Sequence, residues 1–157
     1  MNPARQPATV AKPDLASIVA EVLGDLAFMV TDDAPEELPA GTVWLQAEVR
    51  YTGPIVGALR CWCTRGLATR LAANLLGIEP ESGEAQVGTE DAAREFMNVL
   101  CGQVVTKWHG TESVFTLSIP SVHECLEPPP PGQIRADGCC RLSVEGEPLL
   151  CTYQREP

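Results

Sequence analysis

The stretch from Asp91 to Gln103, "DAAREFMNVLCGQ", decides how the rest of the chain is read. At about 100° per residue its apolar side chains, with Val104, Val105 and Trp108 beyond it, cover most of the circumference of a helix. Asp91, Glu95, Asn98 and Gly102 fall within one narrow arc, which Thr106 continues. The spacing predicts a mostly buried helix with a single polar ridge. Asp91 is explained by the helix dipole at a first turn, and Glu95 by solvent. The other two are harder to explain. Asparagine competes for the backbone of a helix, and a mid-helix glycine costs about 1 kcal/mol relative to alanine. Close approach of another backbone is one way to offset that cost. Composition alone favours a solvated stripe. Two disfavoured residues on the only ridge favour a docking surface.

Working outward, Thr89 reads as the N-cap of this helix, with Glu90 and Asp91 in its first turn and Gly110 as its stop after His109. Before it, "RGLATRLAANLLGI" (65–78) is helical with Gly77 as C-cap, and the acidic "EPESGEAQVG" (79–88) reads as a linker. "TVWLQAEVRYTG" (42–53) and "PIVGALRCWCT" (54–64) are β-rich runs joined at a Thr-Gly-Pro turn. "DLASIVAEVLGDLAFMV" has helical spacing, predicting a helix over 14–30 that "TDDAPEELPAG" (31–41) ends as a loop. After the quoted helix, "SVFTLSIPSV" (113–122) alternates like a strand, with Pro120 at its end or on an edge. "EPPPPG" (127–132) is a stiff surface excursion, and "IRADGCCRLSV" (134–144) and "PLLCTYQ" (148–154) make a second hairpin. The fold class is therefore α+β: an antiparallel sheet of about five to six strands with helices packed on one face.

Residues 1–12 read as a flexible tail and 13–157 as a single domain, in keeping with 157 residues of which 45% are hydrophobic and 20% charged. A net charge of -10 argues against nucleic acid and against an anionic membrane surface. The N-terminus lacks the apolar core of a secretory signal, and no run is long enough to span a bilayer, so the expected location is cytoplasmic. The seven cysteines (Cys61, Cys63, Cys101, Cys125, Cys139, Cys140, Cys151) sit mostly in apolar segments. They lack zinc-ligand spacing and read as buried thiols, with Cys61 and Cys63 on one face of a strand.

The string Asp91-x3-Glu95-x2-Asn98-x3-Gly102 on a helix, followed by a strand ending in Pro120, resembles the signature of the CheC/CheX/FliY chemotaxis phosphatases. The single matching motif in the second half points to the CheX branch, and the resemblance runs over roughly residues 14 to 150 in element order. Members of the family resemble an internal duplication. Ser17-x3-Glu21-x2-Gly24 on the first helix is in register with the ridge but has Gly24 where the asparagine would stand.

The resemblance implies hydrolysis of the aspartyl phosphate on a response-regulator receiver domain of the CheY type. In that reading Asn98 positions the attacking water and Glu95 pairs with a receiver lysine. Asp91, Gly102 and Pro120 support docking. No cofactor is expected on this chain, and Mg2+ is expected on the phosphorylated receiver. A homodimer, through sheet edges, is also implied. The alternatives are a non-catalytic module of the same fold that docks a receiver or a flagellar-switch-like partner, and an unrelated enzyme using Asp91 and Glu95 as an acid/base pair or metal ligands.

Overall fold

A computed structural model describes residues 13–33, 37–129 and 138–156. The chain runs α1 (Leu15–Ala27), β1 (Thr31–Asp33), β2 (Trp44–Thr52), β3 (Gly57–Thr64), α2 (Arg65–Leu76), α3 (Gly83–Val87), α4 (Thr89–His109), β4 (Thr116–Leu117), β5 (Ser121–Cys125), β6 (Cys139–Val144) and β7 (Glu147–Arg155). All strands pair antiparallel in the order β1-β6-β7-β3-β2, and β4 and β5 share the far edge of β2.

Alternation along the strands separates two faces. Ala47, Val49 and Tyr51 of β2, Leu59 and Cys61 of β3, and Leu149 and Cys151 of β7 turn toward the helices and join the main core. From the other side that core is closed by Ile18, Val19, Val22 and Leu23 of α1 and by Phe96, Met97, Leu100 and Val104 of α4. Trp44, Trp62 and Leu150 form a second cluster on the opposite face, packed by Leu38 and Cys125. Burying each large apolar side chain contributes about 1.5–3 kcal/mol, so the inner stripe of α4 far outweighs the roughly 1 kcal/mol that Gly102 costs its helix. This is the expected α+β fold, with seven strands in place of five or six because Thr31–Asp33 adds one at an edge and the run around Pro120 is split in two.

Local chemistry sets the element ends. Asp14 caps α1, its carboxylate accepting the Ser17 N–H at 2.8 Å. Thr64 caps α2 through the Leu67 N–H, and Gly77, at φ 68°, closes it. Glu145 and Gly146, at φ 50° and 83°, make the two-residue turn of the β6–β7 hairpin.

Several expectations need correction. The first helix ends at Ala27, not residue 30, because Phe28 takes a left-handed conformation; its N–H closes the last turn on Gly24 O. Thr31–Asp33 is a strand rather than loop, recruited by pairing with Leu142–Val144 despite its acidic composition. The linker contains α3, capped by the Ser82 hydroxyl on the Ala85 N–H. Thr89 lies inside α4, and its hydroxyl is spent on Ala85 O rather than on a cap. Cys61 and Cys151 form a disulfide between neighbouring strands, so they are not free thiols; Cys63, Cys101, Cys125, Cys139 and Cys140 are. The tail over 1–12 and residues 130–132 of the proline excursion lie outside the described residues.

Candidate functional site

The ridge on α4 is held from both ends. At its start Thr89 is fully buried; with its own proton given to Ala85 O, its oxygen accepts from the Thr69 hydroxyl at 2.9 Å. This fixes the first turn of α4 against α2. At its end the Trp108 indole N–H donates to Pro13 O at 2.7 Å, Lys107 reaches Glu21 at 3.3 Å, and the Trp108 ring stands edge-on to Tyr153. Between these anchors the inner side is core. A helix fixed in this way presents its outer line with little freedom.

That outer line holds the residues the sequence places there. Asp91, Glu95, Asn98 and Thr106 are exposed, and Gly102 is half-buried. The side chains of Glu95 and Asn98 make no hydrogen bond or ion pair with any described residue. Asp91 differs from them. Arg94 binds its carboxylate at 3.0 Å and reaches Glu90 at 3.5 Å, so this acid serves the helix start. Arg94 was not singled out from the sequence, although its spacing of three and four from two acids is the usual signal for such a pair.

Gly102 faces open space: a methyl group added there meets nothing within 4 Å. No close approach among the described residues therefore requires it. Beside it a groove runs between α4 and the segment leading to β4, with Thr106, Gly110, Phe115 and Leu117 among its lining. Pro120 sits apart from this groove, half-buried between β4 and β5, where it interrupts an edge strand; Leu117 is the nearest part of that segment to reach the groove.

The first helix lies antiparallel to α4. Pro13 meets Trp108, Glu21 meets Lys107, and Asp25 and Leu26 share a groove with Val99 and Gln103. Ser17 and Glu21 are exposed and Gly24 half-buried, with nothing within 4 Å of an added methyl group. The two ridges thus stand side by side, and both are acidic. Among the described residues, no group of three or more His, Cys, Asp or Glu side chains is placed to hold a metal ion, and no helix is long and apolar enough to cross a membrane.

An antiparallel sheet roofed by two antiparallel helices, with a carboxylate and a carboxamide exposed on one of them, has the architecture of the CheC-like proteins. Solved structures agree. A chemotaxis protein CheX from Desulfovibrio desulfuricans superposes with a TM-score of 0.65 at 17% identity, covering 90% of this chain and 96% of its own. CheX of Borrelia burgdorferi, solved as a complex with CheY, BeF3 and Mg, gives 0.61 at 18% identity, covering 91% and 96%. FliY of Thermotoga maritima gives 0.55 at 14% identity over 90% and 84%. No curated protein matches the sequence. The family model for the chemotaxis phosphatase CheX matches residues 45–126, more than half of the chain, and the chain belongs to that family. The matched span runs from β2 to β5 and contains the whole ridge and Pro120.

Proposed function

We propose that this chain hydrolyses the aspartyl phosphate of a CheY-type receiver domain, with Asn98 holding the attacking water. The observation that carries the reading is the Asn98 carboxamide: exposed, without a partner among the described residues, and borne on a helix whose other side is core. Family membership and the CheX–CheY complex from Borrelia burgdorferi support the choice of substrate.

The chemistry asks little of the phosphatase. A phosphoryl group in transfer needs its charge neutralised and a water placed in line with the leaving oxygen. The divalent ion belongs to the receiver and supplies charge neutralisation there. The Asn98 carboxamide both donates to and accepts from a water, and it adds no negative charge beside the phosphate. The water oxygen bonds to phosphorus as the bond from phosphorus to the aspartyl oxygen breaks. The receiver carboxylate leaves with that electron pair, and the water's proton departs with inorganic phosphate. Glu95, one turn away and without a partner among the described residues, meets a receiver lysine and sets how deeply the ridge inserts. Gly102 leaves room for receiver backbone to pass close to the helix.

The test is phosphate release from a panel of phosphorylated receivers, with binding to each measured separately. Asn98→Ala should abolish release and leave binding. Wild-type binding without release would replace hydrolysis by docking alone, and an unchanged rate in Asn98→Ala would remove the asparagine from the reaction.

A further inference from the structure

Phe28 caps α1 in a left-handed conformation that the closing bonds onto Gly24 O and Leu23 O require of whichever residue stands there, yet the residue is not a glycine. It is one of two non-glycine residues with positive φ among the described residues, at 55°. The other, Glu145, is accounted for by its hairpin turn. A left-handed conformation is unfavourable for a bulky side chain, and a glycine at the same place would close the helix without strain. The aromatic ring gains nothing in return from this chain, because Phe28 is 84% exposed. The backbone that carries it is held on both sides. Asn74 donates to Ala27 O at 2.9 Å on one side, and on the other the Val30 N–H donates to the Glu145 carboxylate, again at 2.9 Å.

Its place in the fold gives the ring a use. Because α1 and α4 are antiparallel and Asp25 lies level with Val99, the chain leaving α1 passes the turn of α4 that carries Glu95. Met29, the next residue, lines a small apolar cavity together with Ala93, Phe96 and Met97 of that turn. Two more exposed apolar side chains flank the start of α4: Leu76, 56% exposed and 3.5 Å from where a methyl group on Gly88 would sit, and Val87, 86% exposed. On the same two helices the carboxylates of Asp25 and Glu95 are exposed, whereas Asp91 is engaged by Arg94 and the Arg70 guanidinium donates to Glu145 O beside Val30.

We propose that Phe28 is the apolar anchor of the receiver-docking surface. The ring enters a hollow on the receiver that is itself bordered by lysine or arginine, while the ridge addresses the phosphoryl group. This rests on the proposed function and adds to it the residue that sets partner affinity. Buried apolar anchors dominate association energies, and an anchor carried on an already fixed backbone has only its side-chain rotamers left to order on docking. The acidic rim selects a basic border on the partner.

Phe28→Ala and Phe28→Gly test it. Binding is measured to the receiver that wild type dephosphorylates fastest, loaded with BeF3 and Mg2+, and release is measured with the same receiver under a small-molecule phosphodonor. Both variants should raise Kd and KM about tenfold, with the loss confined to binding and kcat at saturation held within twofold. Phe28→Gly should melt higher than wild type, which separates lost docking from lost folding. Kd within twofold of wild type in both variants overturns the proposal, as does a fall in kcat at unchanged KM. If wild type binds no activated receiver, the anchor and the proposed function fall together. If Asn98→Ala releases phosphate normally while the Phe28 variants lose affinity, the catalytic reading alone falls and the anchor stands.

Discussion

The two ridges, on α1 and on α4, are built to one plan and differ in what each leaves free. Each carries an acid one turn from its start, Glu21 and Glu95, and each has a mid-helix glycine with open space above it, Gly24 and Gly102. Glu21 is bound by Lys107, whereas Glu95 has no partner among the described residues. Three residues beyond the acid α1 has Gly24 and α4 has Asn98. Four residues further, α1 has stopped at Phe28, while α4 reaches Gly102 and continues to His109. An exposed carboxylate on a helix is therefore not enough to mark a site. The α4 ridge stands out because its acid is unpaired and stands next to a carboxamide on a helix pinned at both ends.

The largest effect that can break this contrast is expected at Asn98. Asn98→Ala should lower single-turnover phosphate release at least about 100-fold, the scale for removing a group that acts in the transition state. Adding Gly24→Asn to that variant should leave release at the same low level, because Glu21 stays engaged by Lys107. Recovery of activity would show that the two helices are interchangeable. Next in size, Glu95→Ala should weaken receiver binding about three- to tenfold, and Glu21→Ala less than twofold, as titrations at low salt would show. The glycines sharpen the comparison through stability. Gly24→Ala and Gly102→Ala should each stabilise the fold by about 0.5–1 kcal/mol in denaturant titrations, since the added methyl group meets nothing. Only Gly102→Ala should also cost receiver affinity. The smallest effect belongs to Arg94→Ala, a few tenths of a kcal/mol at most, because its pairs with Glu90 and Asp91 are half-exposed.

Most of this contrast could be read from sequence because it depends on helical period. Asp91, Glu95, Asn98 and Thr106 emerged on one exposed line, and Gly77 and Gly110 stopped their helices where expected. What could not be read depends on partners distant in the chain. Thr31-Asp32-Asp33 carries two aspartates, which strands disfavour, and its extended form is supported by pairing with β6. Thr89 looked like a cap, but Ala85 and Thr69 are placed to take its hydroxyl, and α4 begins at that residue. Phe28 could not be foreseen as a helix end because nothing about phenylalanine favours the left-handed region; the turn is enforced by the bonds to Ala27 and Val30 on either side. The partner of Glu21 likewise depends on α1 and α4 running antiparallel, which spacing alone does not specify.

The cross-strand sulfur bridge has a consequence for any such measurement. Cys61 and Cys151 are 90 residues apart in sequence, so the bridge encloses α2, α4 and both halves of the split strand in one covalent ring. Closing a ring of that size removes enough freedom from the denatured chain to shift the unfolding free energy by roughly 4 to 5 kcal/mol. That exceeds every substitution effect on stability expected above. Oxidised and thiol-treated samples are thus thermodynamically two different proteins sharing one ridge, and variants can be ranked only within a single redox state.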